Sequence, residues 1–227
     1  MVRSAPMAPL FVTFEGLDGS GKTTHLRRGA AWLTERGVAH QVTHEPGGTA
    51  LGDALRDVFL DPRWGVLDGA VELLIVFASR RQHLLEVVEP ALAAGRHVLC
   101  DRFTDSTRAY QGHGRGVSLA LIAEIDRLAT GGRMPDRTLL FDLPAAQARA
   151  RRHAGARRGG GRAPANRLDV EDLAFYQRVR DGYLELAAGE PERFRVIDSS
   201  GAPERTEDQV RAVLGELLVA LPAGAGR

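Results

Sequence analysis

Residues Phe14–Thr24 read FEGLDGSGKTT, and no other stretch of the 227-residue chain restricts its fold so tightly. The spacing G-x-x-x-x-G-K-T runs from Gly16 to Thr23. It follows the apolar run Leu10–Phe14, which reads as a buried strand. It precedes a helical pattern over Lys22–Arg36 that Gly37 ends. Glycines between a strand and a helix let successive backbone N–H groups curl inward around an anion, and the helix dipole adds to their field. Gly16, Leu17, Asp18, Gly19, Ser20, Gly21, Lys22, Thr23 and Thr24 are therefore expected to hold the phosphate tail of a nucleoside triphosphate. Lys22 supplies a point charge for the outer phosphates, and the Thr23 hydroxyl is a candidate ligand for Mg²⁺. A glycine turn that merely joins strand to helix would need neither the lysine nor the threonine.

The rest of the chain alternates in the same way. Short apolar strands are expected at Ala39–His44, His97–Asp101, Arg137–Asp142 and Phe194–Asp198. Helical patterns fall between them: Thr49–Leu60, Ala70–Glu89 (stopped near Pro90), Ser118–Thr130 with Ser118 as a cap, Ala145–Arg152, Val170–Ala188 and Glu204–Val219. This order predicts an α/β fold, a parallel sheet with helices on both faces, and ligands at the carboxyl ends of the strands. One segment breaks the pattern. Arg151–Arg167 (RRHAGARRGGGRAPANR) mixes glycine with arginine and has no apolar period, so it is expected to be a mobile loop. The expected organisation is a frayed extension at 1–9, one domain at 10–221 with a short arginine-rich lid at about 149–167, and a flexible tail at 222–227.

Composition narrows the setting. A net charge of +1 offers no electrostatic case for nucleic acid. The single cysteine, Cys100, rules out an intramolecular disulfide and fits a reducing compartment. No apolar run approaches the roughly 20 residues that span a bilayer, and the first ten residues are too short and too rich in proline for a signal peptide. A cytoplasmic protein with no membrane partner is expected.

A second constellation stands at the end of the His97–Asp101 strand. A carboxylate there, Asp101, falls beside the first loop in a sheet of this kind, where it can bind Mg²⁺ or orient an incoming nucleophile. Arg102 brings a planar fork suited to phosphate.

Together, FEGLDGSGKTT, EPGGT (Glu45–Thr49), RRQH (Arg80–His83), DRFTDSTRAYQGHGRG (Asp101–Gly116) and the stretch Arg167–Asp198 resemble bacterial thymidylate kinases. The resemblance runs from about Leu10 to about Leu218, and the D-R-F-x-x-S-x-x-A-Y-Q-G run is its most specific part. It implies a P-loop NTPase-like fold and a reaction: ATP and dTMP give ADP and dTDP, with Mg²⁺ held through Thr23 and Asp101. It also implies roles. Lys22, Asp101 and Arg102 would be catalytic, together with Arg149 and Arg151 from the lid, since the phosphate loop carries no arginine. Arg152, Arg157, Arg158 and Arg162 lie further along the same segment. Asp18 would contact the sugar 3′-hydroxyl of dTMP, Arg102 and Arg56 its phosphate, Pro46 the phosphate end of the cleft, and Arg80 the carbonyl edge of the base. Ser106 and Thr107 would line the base pocket, Tyr110 would wall off the 2′ side of the sugar, and Gln111 would border the base. A homodimer through the Ala70–Glu89 helix is implied as well.

The sequence departs from the family pattern at three places. Counting back from Arg80 puts the base-stacking phenylalanine on Val76, with Phe77 beside it. Either Phe77 stacks from a shifted position or Arg81 is the equivalent arginine. The lid is long and glycine-rich, with Asn166 where an aspartate commonly precedes the arginine. The N-terminal extension has no role that the residues argue. Two rivals follow from the residues alone: a kinase for another nucleoside monophosphate, and a nucleotide-binding regulator that does no chemistry. Lys22 and Asp101 speak against the second, and no N-K-x-D run marks a guanine site.

Overall fold

The computed structural model describes residues 8–158 and 167–219; Arg162, Asn166, most of the N-terminal extension and the 222–227 tail lie outside them. Among the described residues, five parallel strands form one sheet: β1 (Phe11–Gly16), β2 (His40–His44), β3 (His97–Asp101), β4 (Arg137–Asp142) and β5 (Phe194–Asp198), in the order β2-β3-β1-β4-β5. Between them run α1 (Lys22–Thr34), α2 (Ala50–Leu60), α3 (Gly69–His83), α4 (Glu89–Ala93), α5 (Thr104–Thr107), α6 (Leu119–Thr130), α7 (Ala145–Arg158), α8 (Leu173–Gly189) and α9 (Pro203–Val219).

β1 is central and buried along its whole length. Its side chains alternate between the two faces. Val12 and Phe14 join Leu26 and Leu33 of α1, Phe141 of β4, and Val210 and Leu214 of α9 in one core layer. Phe11 packs on the opposite face with Leu84, Val88, Val98 and Phe103. Thr13 and Glu15 share the parity of Phe11, and Thr13 Oγ1 lies 2.9 Å from Thr138 Oγ1. Glu15 therefore points to the same face as Phe11, and the central place of β1 buries it.

β3, β4 and β5 coincide with the expected strands, because each is a short apolar run ending in aspartate. The helices differ in three ways. The helix expected to stop at Pro90 passes through it. A π-helical turn, Leu84–Val88, precedes α4, in whose first turn Pro90 stands. The wider turn accommodates the missing N–H and the ring that would otherwise strike a carbonyl four residues back. Second, Arg108–Gly114 also forms a π-helical segment, following α5. Third, α7 extends to Arg158, so the first half of the expected loop is helical; arginine and alanine are both strong helix formers. Ser118 holds the cap position of α6 without a capping side-chain hydrogen bond. Among the described residues no helix is long and apolar enough to cross a membrane.

Candidate active site

The phosphate loop forms where β1 ends and α1 begins. Lys22 is buried, and its Nζ donates to Asp18 Oδ1 at 3.1 Å. The Thr23 hydroxyl donates to Asp101 Oδ2. The sheet register explains that contact: Asp101 pairs with Phe14 across β1 and β3, so the carboxylate reaches the loop directly. Thr23 and Asp101 together offer hard oxygen donors. No cluster of three or more His, Cys, Asp or Glu suited to a metal occurs among the described residues. So spare a donor set fits Mg²⁺, which prefers few protein ligands and completes its shell with phosphate and water.

Gly19 sets the distance to α7. A Cβ there would stand 2.2 Å from the Ala148 carbonyl oxygen, and the backbone has φ +90. The helix that carries the arginines thus rests on the phosphate loop backbone to backbone.

Asp18 gathers cations. Besides Lys22 it accepts from Arg102 Nη2 at 2.6 Å and from Arg152 Nη1 at 3.2 Å. Burial would raise its pKa, but Lys22, Arg102 and Arg152 outweigh burial and hold the carboxyl well below the usual range. Arg102 is the one non-glycine residue with positive φ (+74) among those described. Its Nη1 donates to Ser106 Oγ at 2.9 Å and Tyr183 OH at 3.2 Å, and its guanidinium lies 5.0 Å from the Tyr110 ring. Beneath it, Glu15 accepts from the Phe103 N–H at 2.6 Å, Ser106 Oγ at 2.5 Å and Tyr183 OH at 3.0 Å. Burial first, and Asp105 second, push the Glu15 carboxyl up to about 7.

A cleft opens beside this cluster. Its polar lining includes Asp18, Arg56, Arg80, Arg102, Ser106, Thr107, Tyr110 and Gln111; Pro46, Phe59, Leu60, Val76, Phe103 and Leu168 supply apolar wall. A second cleft, lined by Lys22, Thr23, Asp101 and Arg27, shares Asp18, Arg56 and Arg102 with the first. Arg56 Nη1 donates to the Pro46 carbonyl at 2.9 Å, and Pro46 follows a cis peptide bond. Arg80 is buried between Phe77 and Phe103, 4.7 and 4.9 Å from their rings. It donates to Glu45 Oε2 at 2.7 Å and Thr107 Oγ1 at 3.0 Å. Glu45 is held from its other oxygen by His83 Nδ1 at 2.8 Å.

Two expected placements change. Phe77 does not line the cleft. It packs with Leu73, Ile122 and Ala129 beneath α6, while Val76, one residue earlier and about 100° around the helix, faces the cleft. Of the lid arginines, Arg149 is exposed, and Arg151 donates to the carbonyls of Ser199 (2.7 Å) and Ser200 (3.1 Å). Among the described lid arginines, Arg152 is the one that reaches the phosphate loop, through Asp18, because α7 continues as helix and turns that position inward. Arg167 is buried and bound to Glu72 Oε1 at 2.5 Å.

Three organising carboxylates, Glu15, Glu45 and Glu72, carry no catalytic signature in sequence. The available signal was the setting of Glu15 and Glu72, since an acidic residue inside an apolar strand or helix must find partners when buried, while Glu45 stood in the EPGGT stretch.

A family model described as thymidylate kinase matches residues 14–210. The thymidylate kinase of Desulfosudis oleivorans is 45% identical over 205 residues, covering 90% of this chain and 96% of that protein. That of Desulfovibrio desulfuricans is 47% identical over 205 residues, covering 90% and 94%. A crystal structure of thymidylate kinase from Ehrlichia chaffeensis matches with a TM-score of 0.71 at 34% identity, over 92% of this chain and 99% of that one. The family model over residues 14–210 and these relatives show that the chain, with its phosphate loop, Asp101–Arg102 pair and adjoining cleft in one place, belongs to the thymidylate kinase family.

Proposed function

We propose that the chain transfers the γ-phosphoryl group of ATP to dTMP, giving dTDP and ADP for dTTP synthesis. The observation that carries this reading is the meeting of two clefts at Asp18, Arg56 and Arg102. One cleft ends in the phosphate loop and the other in a pocket with polar and aromatic walls. A reaction that joins two phosphates in line needs such a shared wall.

In this reading, backbone N–H groups from Gly16 to Thr24 cradle the triphosphate, and Lys22 offsets the charge on its outer oxygens. Arg102 and Arg56 hold the acceptor phosphate. Asp18 orients the sugar 3′-hydroxyl, and Tyr110 closes the space that a 2′-hydroxyl would need. Arg80, fixed by Glu45, presents its guanidinium to the base. Thr23 and Asp101 would hold Mg²⁺, which supplies charge neutralisation between donor phosphates when bound. Arg152 covers the loop from α7 and excludes water beside Asp18.

The working form is a cytoplasmic homodimer without nucleic-acid or membrane partners. The exposed apolar residues Val71 and Leu74 of α3 support the association. The test of the chemistry is Lys22→Ala. Turnover of dTMP should fall by roughly 10³-fold or more while the circular dichroism spectrum is unchanged. Near-normal turnover would remove Lys22 from the mechanism.

A further inference from the structure

Glu72 stands in the first turn of α3 and is fully buried. A carboxylate so placed is costly unless it is paired and its lone pairs are filled. Its two oxygens are used differently. Oε1 takes the cations: Arg167 Nη1 at 2.5 Å, with Arg115 Nε at 3.2 Å and Nη2 at 3.1 Å. Oε2 takes an uncharged group, the Gln111 Nε2, at 2.7 Å. Two guanidinium groups already answer the charge. The second oxygen is committed to a side chain that lines the acceptor cleft.

An amide has a donor end and an acceptor end, and rotation by half a turn exchanges them. A carboxylate bridging two guanidinium groups only accepts, so it holds the amide nitrogen toward itself. The carbonyl oxygen of Gln111 is left as the group for recognition. Arg80, on the same cleft, brings only donors. The two residues therefore offer the cleft a donor and an acceptor. A pyrimidine with a carbonyl next to a ring N–H, as in thymine, complements that pair. Cytosine, with an amino group next to a bare ring nitrogen, opposes it at both points. We infer that Glu72 is a positioning residue for base selection: it fixes the polarity of the Gln111 amide, and so the hydrogen-bond edge the cleft accepts.

The inference rests on the dTMP kinase reading, and the experiment separates the two. kcat/KM is measured by ADP release for dTMP and dCMP with the wild-type chain, Glu72→Gln, Glu72→Asp, Gln111→Ala and the double variant Glu72→Asp/Gln111→Ala. Glu72→Gln can both donate and accept, so the amide is no longer held one way. Glu72→Asp keeps the charge that Arg115 and Arg167 need and withdraws the oxygens by one bond, which covers the case in which Glu72→Gln does not fold. Each single variant should lower the dTMP/dCMP ratio by roughly tenfold or more, the scale of one misdirected buried hydrogen bond. The change should lie mostly in KM, with kcat for dTMP little altered. The double variant should lower the ratio no further than Gln111→Ala alone, because Glu72 acts through that amide. A wild-type ratio in Glu72→Asp, or effects that multiply in the double variant, would overturn the inference and leave the dTMP kinase reading standing. Failure of the wild-type chain to use dTMP would overturn that reading itself.

Discussion

Glu15 shows how a single buried group ties stability to the site. Its carboxyl is raised from the usual value of 4.5 to about 7, by burial and then by the neighbouring Asp105. Between those values the folded chain keeps a proton that the unfolded chain has released. Folding is then favoured at the acid end of the window, and this contribution is lost as pH rises from 4.5 to 7. At about 1.4 kcal/mol per pH unit the change is up to about 3 kcal/mol. His25, His44 and His97 have lowered values, mainly through burial, and act with the opposite sign in the upper part of this range. The difference between wild type and Glu15→Gln isolates the group. Urea unfolding at pH 5 and pH 7 should show wild type losing more stability than the variant on going to pH 7. Equal losses in the two proteins would contradict the assignment. The same residue anchors the Phe103 N–H next to Arg102, whose left-handed backbone costs of order 1–3 kcal/mol. Arg152 makes the second prediction at this scale. Its alanine variant should lose roughly 10³-fold in kcat with little change in KM for dTMP, the signature of a contact made in the transition state. Arg149→Ala and Arg151→Ala should lose far less. A large loss at Arg149 and none at Arg152 would place the acting arginine elsewhere on α7.

At the scale of elements, the contact between α7 and the phosphate loop governs how the arginines are presented. Gly19→Ala would push a methyl group into the Ala148 carbonyl at a backbone angle that only glycine adopts freely. The variant should melt several degrees lower and lose most of its ATP turnover, measured by thermal unfolding and ADP release. Unchanged melting would mean that α7 does not rest on the loop. This contact also shows what the sequence could not express. Strands with apolar runs ending in Asp101, Asp142 and Asp198 were legible to the residue, because period and terminator agree. The π-helical turns at Leu84–Val88 and Arg108–Gly114 were not: Pro90 marks a break without showing that the helix widens before it, and the close approach of Gly114 to Phe175 is set by the fold. α7 was read too short because Arg151–Arg158 has no apolar stripe. Its helicity comes from propensity and from docking on the loop instead.

For the whole molecule, the sheet order places two carboxyl-terminal strand ends, β1 and β3, side by side, and the two clefts meet there. Most residues of the proposed site were legible from motifs: Lys22, Thr23, Asp101, Arg102, Arg80, Tyr110 and Gln111 all line it or touch those that do. Phe77 was misplaced because a one-residue shift on a helix turns a side chain by about 100°, and spacing alone does not reveal which of two neighbours faces inward. Glu72 stayed unseen because its partners come from residues 111, 115 and 167, far apart in sequence and joined only by the fold. The measurement that tests the account most directly is ADP release from ATP and Mg²⁺ over a panel of nucleoside monophosphates. The account predicts that dTMP has the highest kcat/KM, with the ribosyl form and dCMP each markedly poorer. No release above background with dTMP, or a clear preference for another monophosphate, would contradict it.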